Sequence, residues 1–229
     1  MLQSVITSPV LAGFTRRRRR LSTATLAVVA SVLVMLVTFS TWYATRTRVM
    51  DLRSEHQLNS SGLYAEWAKG DLIVLIRHAE RCDRSDNACL GDPAGITVAG
   101  SQAATQVGKG IAQLGLQNAE VLSSPEVRTQ QTAHFLFGKA IATQDWLGQC
   151  DGDFAKAAFT HKEAGYNLFL VTHSGCIDRV ERQLNVPGGE RSSEYASALF
   201  VSMGSNGKAR ILGQMNAEQW QKLVTRAGS

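Results

Sequence analysis

Short apolar runs alternate with longer amphipathic stretches over most of the chain. The run at 72–76 (LIVLI) has no polar face, so a strand here must be covered on both sides. The predicted strands lie at 72–76, 120–123, 167–172, 197–203 and 209–212. Asn206-Gly207, a strong turn signal, is expected to join the last two.

Apolar residues at helical spacing fill the intervals between these strands. Thr97 can cap one such helix, and Pro125 suits the first turn of another. The predicted helices lie at 63–69, 97–114, 126–137, 153–163 and 176–184. Strands that alternate with helices predict an α/β protein, a three-layer α/β/α sandwich with a mostly parallel central sheet.

One apolar segment near the N-terminus is too long for a strand or an ordinary helix. Residues 21–44 carry no charge and follow five consecutive arginines, Arg16–Arg20. As a helix the segment would span about 36 Å, enough to cross a hydrocarbon core of about 30 Å. We predict a cytoplasmic basic tail at 1–20, a transmembrane signal anchor at 21–44, a stalk at 45–70 and a catalytic domain at 71–229.

A cleaved signal peptide is the alternative for this segment, and it would leave a soluble periplasmic protein. Signal peptides have apolar regions of ~7–15 residues and a small-residue cleavage site. Here the segment is longer, and Trp42 and Tyr43 crowd the only plausible site, before Thr45. The preceding arginines predict a cytoplasmic N-terminus, and therefore a single-pass inner-membrane protein with its folded part in the periplasm.

The formal net charge of +5 is unevenly divided. Residues 1–53 hold eight arginines against one aspartate, giving +7, and the remainder holds 16 basic and 18 acidic residues, giving −2. The folded part has no run of Lys or Arg, so no nucleic-acid partner is expected.

The four cysteines are Cys82, Cys89, Cys150 and Cys176. In a periplasmic domain this even number fits two disulfides, with three connectivities open. Cys82 with Cys89 would close a short loop, which would leave Cys150 for Cys176. No CxxC or HxxxH spacing indicates a zinc site.

Basic residues follow three of the predicted strands. Arg77, His78 and Arg81 follow the first, Arg128 follows the second, and His173 follows the third. The carboxyl ends of parallel strands meet at one edge of a sheet, so these side chains are expected to converge. Guanidinium groups would bind phosphate oxygens there, and an imidazole could attack phosphorus. Arg81 could instead simply pair with Asp83 or Asp86.

Three motifs in this order resemble those of the histidine phosphatase superfamily, which includes phosphoglycerate mutases. They are RHA at 77–79, SSPEVRTQQTA at 123–133 and the Thr-His pair at 172–173. The blocks RHAERCDRSDNACL, GITVAG, LGQC and THSGC resemble members that act on phosphorylated sugars of the lipopolysaccharide core. The resemblance covers residues 72–212 and implies a phosphomonoesterase with no metal or other cofactor.

The resemblance also implies roles for the strand-end residues. His78 would attack phosphorus and form a phosphohistidine, while Arg77, Arg81, Arg128 and His173 would hold the phosphoryl oxygens. An acid must protonate the leaving sugar oxygen. The acid-phosphatase branch has an Asp directly after the second histidine, where this chain has Ser174. The mutase branch has a Glu about a strand and a helix after the second arginine, and Asp153 lies nearest that place, with Glu80 as the other candidate. The third motif residue, usually Gly, is Ala79.

Other functions fit the pattern less well but stay open. One is a mutase or phosphotransferase of the same superfamily, and another is a membrane-tethered phosphate-binding module that lacks the acid. Cys176 and Arg182 have the Cys-x5-Arg spacing of cysteine-dependent phosphatases. The five intervening residues include no glycine and two acids, which does not suit a phosphate-cradling loop.

Overall fold

The computed structural model describes residues 22–204 and 207–227, with side chains described through residue 224. The predicted tail at 1–20 and Asn206 of the predicted turn lie outside this range. The chain divides into two compact units, Met1–Thr45 and Arg46–Ser229.

Helices and strands alternate in the order the sequence predicts. The strands are β1 (Leu72–Arg77), β2 (Ala119–Ser123), β3 (Asn167–Thr172), β4 (Ala198–Met203) and β5 (Ala209–Met215). The helices are α1 (Thr23–Thr45), α2 (Glu55–Ser61), α3 (Leu63–Lys69), α4 (Val98–Leu114), α5 (Val127–Phe137), α6 (Phe154–His161), α7 (Ser174–Gln183) and α8 (Ala217–Ala227). Helices α2 and α8 were not among the sequence predictions.

The first unit contributes one described element, helix α1. Its residues are apolar and exposed over a length that could cross a membrane. A signal sequence near the N-terminus would have the same properties. The predicted apolar helix is therefore confirmed, while its role as an uncleaved anchor stays a prediction.

The second unit is built on one five-stranded sheet with the strand order β2-β3-β1-β4-β5. Strand β1 pairs in parallel with β3, and β3 pairs in parallel with β2. Strand β4 is antiparallel to both β1 and β5. Four of the five strands thus run in one direction, as the predicted mostly parallel sheet requires.

Alternate residues of the central strands face two separate cores. Val74 and Ile76 of β1 belong to a core that includes residues of α2 to α5 and α8. Ile73 and Leu75 belong to the opposite core, which includes residues of α6 and α7. Helices therefore cover both faces of the sheet, and the predicted three-layer architecture is confirmed.

Residues 46–70 belong to the folded unit, and this corrects the predicted stalk. Leu52, Leu58, Leu63 and Trp67 are all buried in the core that contains α4. Ser54 caps α2 in a reciprocal capping box with Gln57. The polar composition of the segment hid four apolar residues whose spacing brings them onto the sheet, so the folded unit begins at Arg46 rather than residue 71.

Glu181 on α7 is a buried carboxyl, 1% exposed, and none of the residues that the structure describes forms a hydrogen bond with its Oε1. Burial and the nearby Asp178 carboxylate raise the pKa of Glu181 to about 7, against the opposing effect of Arg191. The carboxyl of Glu181 therefore binds its proton more tightly in the folded state than in the unfolded state. The stabilisation is complete below about pH 4.5 and is lost as the pH rises through about 7.

We expect Glu181→Gln to remove this pH dependence. Between pH 5 and pH 8, the free energy of unfolding of the unmodified protein should fall by about 2 kcal/mol more than that of the variant. Urea unfolding in detergent measures the difference, with the exposed Glu163→Gln as the matched control. If the free energy of unfolding changes with pH in the same way in all three proteins, Glu181 does not have a raised pKa.

Candidate active site

The carboxyl ends of the three adjacent parallel strands lie at one edge of the sheet. Strand β1 leads into His78, whose backbone N–H donates to the Thr172 carbonyl at the end of β3 (2.9 Å). Strand β2 leads into Ser124, whose N–H donates to the Val171 carbonyl (2.9 Å). The ring centroids of His78 and His173 lie 5.4 Å apart, with an interplanar angle of 60°. The two histidines predicted to meet are therefore neighbours.

His78 is 3% exposed and its ring has a defined tautomer. Its Nδ1 lies 2.8 Å from the Ala79 carbonyl oxygen, which can only accept, so Nδ1 carries the proton and Nε2 keeps its lone pair. Burial lowers the pKa of His78 to about 3, although the Ala79 carbonyl favours the protonated form. Nearby cationic groups, including Arg128 and Arg77, lower it further. The imidazole is therefore neutral, with a free lone pair on Nε2.

His173 is 8% exposed and lies between a guanidinium and a hydroxyl. Nη2 of Arg128 is 3.4 Å from Nδ1 of His173, and an arginine can only donate, so Nδ1 accepts and Nε2 carries the proton. Nε2 lies 3.0 Å from Oγ of Ser124. Burial lowers the pKa of His173, Glu126 opposes this, and Arg128 adds to it. His173 therefore presents an N–H donor at the edge of the sheet.

Arg77 is held in place at the end of β1. Its Nη1 donates to the Ser193 carbonyl (2.6 Å), and its guanidinium lies 3.9 Å from the centre of the Tyr195 ring. Burial lowers the pKa of Arg77. The Nε atoms of Arg77 and Arg128 are both buried without a hydrogen-bond partner among the described residues. Unpaired cationic donors at one edge are typical of an anion-binding site.

Tyr195 was not predicted from the sequence. Its ring centre lies 5.7 Å from that of His78, in addition to the Arg77 contact. Tyr195 precedes β4, whose antiparallel direction brings the start of that strand to the edge where β1 ends. No strand-end pattern marks such a residue.

Arg81 lies at the margin of this group. Its Nε donates to Oδ1 of Asp83 (2.7 Å), and Nη2 contacts the second carboxylate oxygen. This is the ion pair that the sequence offered as the alternative to phosphate binding. The charge of Arg81 still contributes to lowering the pKa of both His173 and Arg77, so it belongs to the same positive field.

Glu80 is engaged in contacts that suit a structural carboxylate. It accepts hydrogen bonds from Thr97 Oγ1 (2.6 Å), Asn87 Nδ2 (2.9 Å) and Ser85 Oγ (2.9 Å). These donors lower the pKa of Glu80, with Thr97 having the largest effect. The Thr97 hydroxyl in turn caps α4 by accepting from the N–H of Gly100. A carboxylate held ionised in this way is a poor proton donor.

Asp153 lies away from the residues that converge at the strand ends. It immediately precedes α6 and is exposed. Together with Trp146, Lys156 and His161 it lines a shallow surface pocket that includes neither His78 nor His173. The structure therefore does not bring Asp153 together with the histidines, although the sequence suggested it as the acid.

Glu126 is the carboxylate that the structure does bring to the site. It lies in the loop between β2 and α5, where its Oε2 contacts Nη2 of Arg128 and is 3.7 Å from Nε2 of His173. One sequence signal marks Glu126, because it lies two residues before Arg128, just beyond a strand end.

Two disulfides border the site, with the pairing that the sequence favoured. They are Cys82–Cys89 and Cys150–Cys176. Cys176 lies in the first turn of α7, three residues after His173, and Cys150 follows a short helical turn at Asp145–Gly148. The bond ties that turn to the site, and it removes Cys176 as a thiolate nucleophile. No group of three His, Cys, Asp or Glu side chains that could hold a metal occurs in the described part of the chain.

The fold is shared with proteins of known structure. Among solved structures, the protein of open reading frame Rv3214 from Mycobacterium tuberculosis aligns with a TM-score of 0.51 and 17% identity, over 65% of this chain and 100% of that one. The protein histidine phosphatase SixA complexed with tungstate aligns with a TM-score of 0.49 and 17% identity, over 64% and 97%.

Relatives identified by sequence similarity define the family more narrowly than the solved structures do. Lipopolysaccharide core heptose(II)-phosphate phosphatases of Salmonella paratyphi B and Salmonella typhi are each 35% identical over 161 residues, covering 69% of this chain and 78% of theirs. No protein-family model matches the chain. The chain belongs to the family of lipopolysaccharide core heptose(II)-phosphate phosphatases, and is thus a phosphatase.

Proposed function

We propose that this protein removes the phosphate from a sugar of the lipopolysaccharide core, through a phosphohistidine on His78. The observation that carries the proposal is the pair of neighbouring imidazoles, whose ring centres lie 5.4 Å apart, beside the buried Nε atoms of Arg77 and Arg128, which have no hydrogen-bond partner among the described residues. A neutral nucleophile beside fixed cations provides both parts that phosphoryl transfer requires.

The residues have distinct parts in the proposed reaction. Nε2 of His78 attacks phosphorus, and the Nδ1–H bond to the Ala79 carbonyl keeps the attacking nitrogen unprotonated and correctly aimed. The guanidinium groups of Arg77 and Arg128 and the Nε2–H of His173 donate to the phosphoryl oxygens as negative charge shifts onto them. Arg81 adds positive field at the margin, and water later releases phosphate from His78.

The substrate and location rest on other observations. The family relatives are named for a heptose phosphate of the lipopolysaccharide core. Helix α1 is long enough to act as an inner-membrane anchor, and the arginines before it would keep the N-terminus in the cytoplasm. Both disulfides suit an oxidising compartment. We therefore infer a single-pass inner-membrane protein with its catalytic unit in the periplasm, where the lipopolysaccharide core is accessible.

The test uses the full chain in detergent with core oligosaccharide that carries a heptose phosphate. We expect loss of the heptose phosphate signal by phosphorus NMR and release of inorganic phosphate, with His78→Ala as the inactive control. Hydrolysis of a simple aryl phosphate while the core stays intact would reject the substrate but keep the chemistry. Isomerisation of soluble phospho-acids would favour a mutase, and phosphate binding without turnover would favour a non-catalytic module.

A further inference from the structure

A histidine phosphatase needs a proton donor for its leaving group. The two residues that the sequence suggested for this role, Glu80 and Asp153, are engaged in other contacts or lie elsewhere. A sugar alkoxide is too basic to leave readily without a proton. Glu80 is held by three donors, and Asp153 lines a separate surface pocket. The donor has to be sought among the side chains that contact His173 and Arg128.

The Glu126 side chain is unusual because one of its carboxylate oxygens is buried while the side chain as a whole is partly exposed to solvent. Its Oε2 is buried, contacts Arg128 and has no hydrogen-bond partner of good geometry within the described part of the chain. The side chain as a whole is nevertheless 38% exposed. A β-carbon added at Gly148 would lie 3.8 Å from Oε1 of Glu126 and 3.3 Å from Oγ of Ser124. Gly148 therefore leaves room beside the second carboxylate oxygen.

A carboxylate inside a phosphate-binding group needs an explanation, because it repels the substrate. In the free protein Glu126 is stabilised by the guanidinium of Arg128. A phosphoryl group that takes over Arg128 places its oxygens beside the carboxyl. The carboxyl is then positioned to exchange a proton with the leaving oxygen.

We propose that Glu126 is the general acid and base of this site, an assignment that rests on the phosphatase function proposed above. As His78 Nε2 forms its bond to phosphorus, the bond from phosphorus to the sugar oxygen breaks. The electron pair of that bond stays on the oxygen, which takes the proton of the Glu126 carboxyl. In the second step water adds to phosphorus, the N–P bond returns its electrons to Nε2, and the Glu126 carboxylate accepts the water's proton.

The test compares substrates whose leaving groups need the proton to different degrees. Glu126→Gln should lose about 10²- to 10³-fold of its turnover on an alkyl phosphate such as glycerol phosphate. With an aryl phosphate that releases an acidic phenol, the first burst of phenol should be retained, because that phenolate leaves unprotonated. The phosphohistidine should then accumulate, since its hydrolysis lacks the base.

Matched variants separate this role from a structural one. Glu163→Gln, an exposed carboxyl elsewhere, should behave as the unmodified protein, and Glu126→Asp should recover part of the alkyl phosphate activity. An equal loss of the phenol burst and of alkyl phosphate turnover in Glu126→Gln would overturn the proposal. So would selective loss of alkyl phosphate turnover in Glu80→Gln or Asp153→Asn. If the unmodified protein forms no phosphohistidine at all, the proposed function itself fails.

Discussion

Replacing His78 with alanine should lower turnover by about 10⁴-fold or more, because it removes the atom that forms the covalent bond. The Nδ1 atom of His78 is committed to the Ala79 carbonyl, which leaves only Nε2 available for attack on phosphorus. Labelled phosphate should appear on His78 in the unmodified protein after an acid-free quench, and it should be absent from the variant.

Two further variants make this result specific. His134→Ala on α5 replaces an exposed histidine and should keep full activity and full labelling. His78→Gln keeps a polar side chain of similar reach, so its folding can be compared directly with that of the unmodified protein. Labelling of His173 in place of His78 would reverse the assigned roles of the two histidines.

The burial of His78 also affects how the rate of phosphohistidine formation depends on pH. Because burial lowers the pKa of His78 to about 3, its nucleophile should remain unprotonated down to mildly acidic pH. We therefore expect no fall in the rate of phosphohistidine formation near pH 6.5 that is attributable to His78.

The second large effect is expected at Arg128. Arg128→Ala should lower kcat by about 10²- to 10³-fold, since the guanidinium is one of the preorganised donors that meet the transferred phosphoryl group. The variant should also bind inorganic phosphate more weakly, because the Glu126 carboxylate and His173 then lose their cationic neighbour. Steady-state kinetics and competition by inorganic phosphate measure the two effects separately.

Arg128→Lys distinguishes charge from geometry. Lysine keeps the positive charge but lacks the planar fork that can hold His173 and the substrate together, so only part of the activity should return. The control is Arg182→Ala, an exposed arginine paired with Asp178 on α7, which should have no effect. Full activity in Arg128→Ala would remove Arg128 from the proposed site.

The convergence of His78 and His173 was predictable because their sequence signal is local. His78 follows a buried apolar strand directly and His173 follows another, and the carboxyl ends of parallel strands must meet at one edge. The helix-capping role of Thr97 was likewise visible in the sequence. Each of these depends on the chain's own direction and periodicity.

Other features depend on side-chain packing between segments that are distant in the sequence. The segment at 46–70 looked like a stalk because its composition is polar, yet Leu63 and Trp67 complete a core that other helices form. Glu80 and Asp153 were equally plausible acids in the sequence. Only the folded chain shows that Glu80 has three hydrogen-bond donors and that Asp153 faces elsewhere.

The sequence by itself determined the layered α/β architecture, the apolar N-terminal helix and the basic residues at the strand ends. These follow from hydrophobic periodicity and from strand direction, which are properties of consecutive residues. The tertiary structure decided that Tyr195 and Glu126 join the two histidines and that Arg81 pairs with Asp83. These contacts depend on the directions that loops and side chains take once the sheet has assembled. Local sequence patterns do not specify those directions.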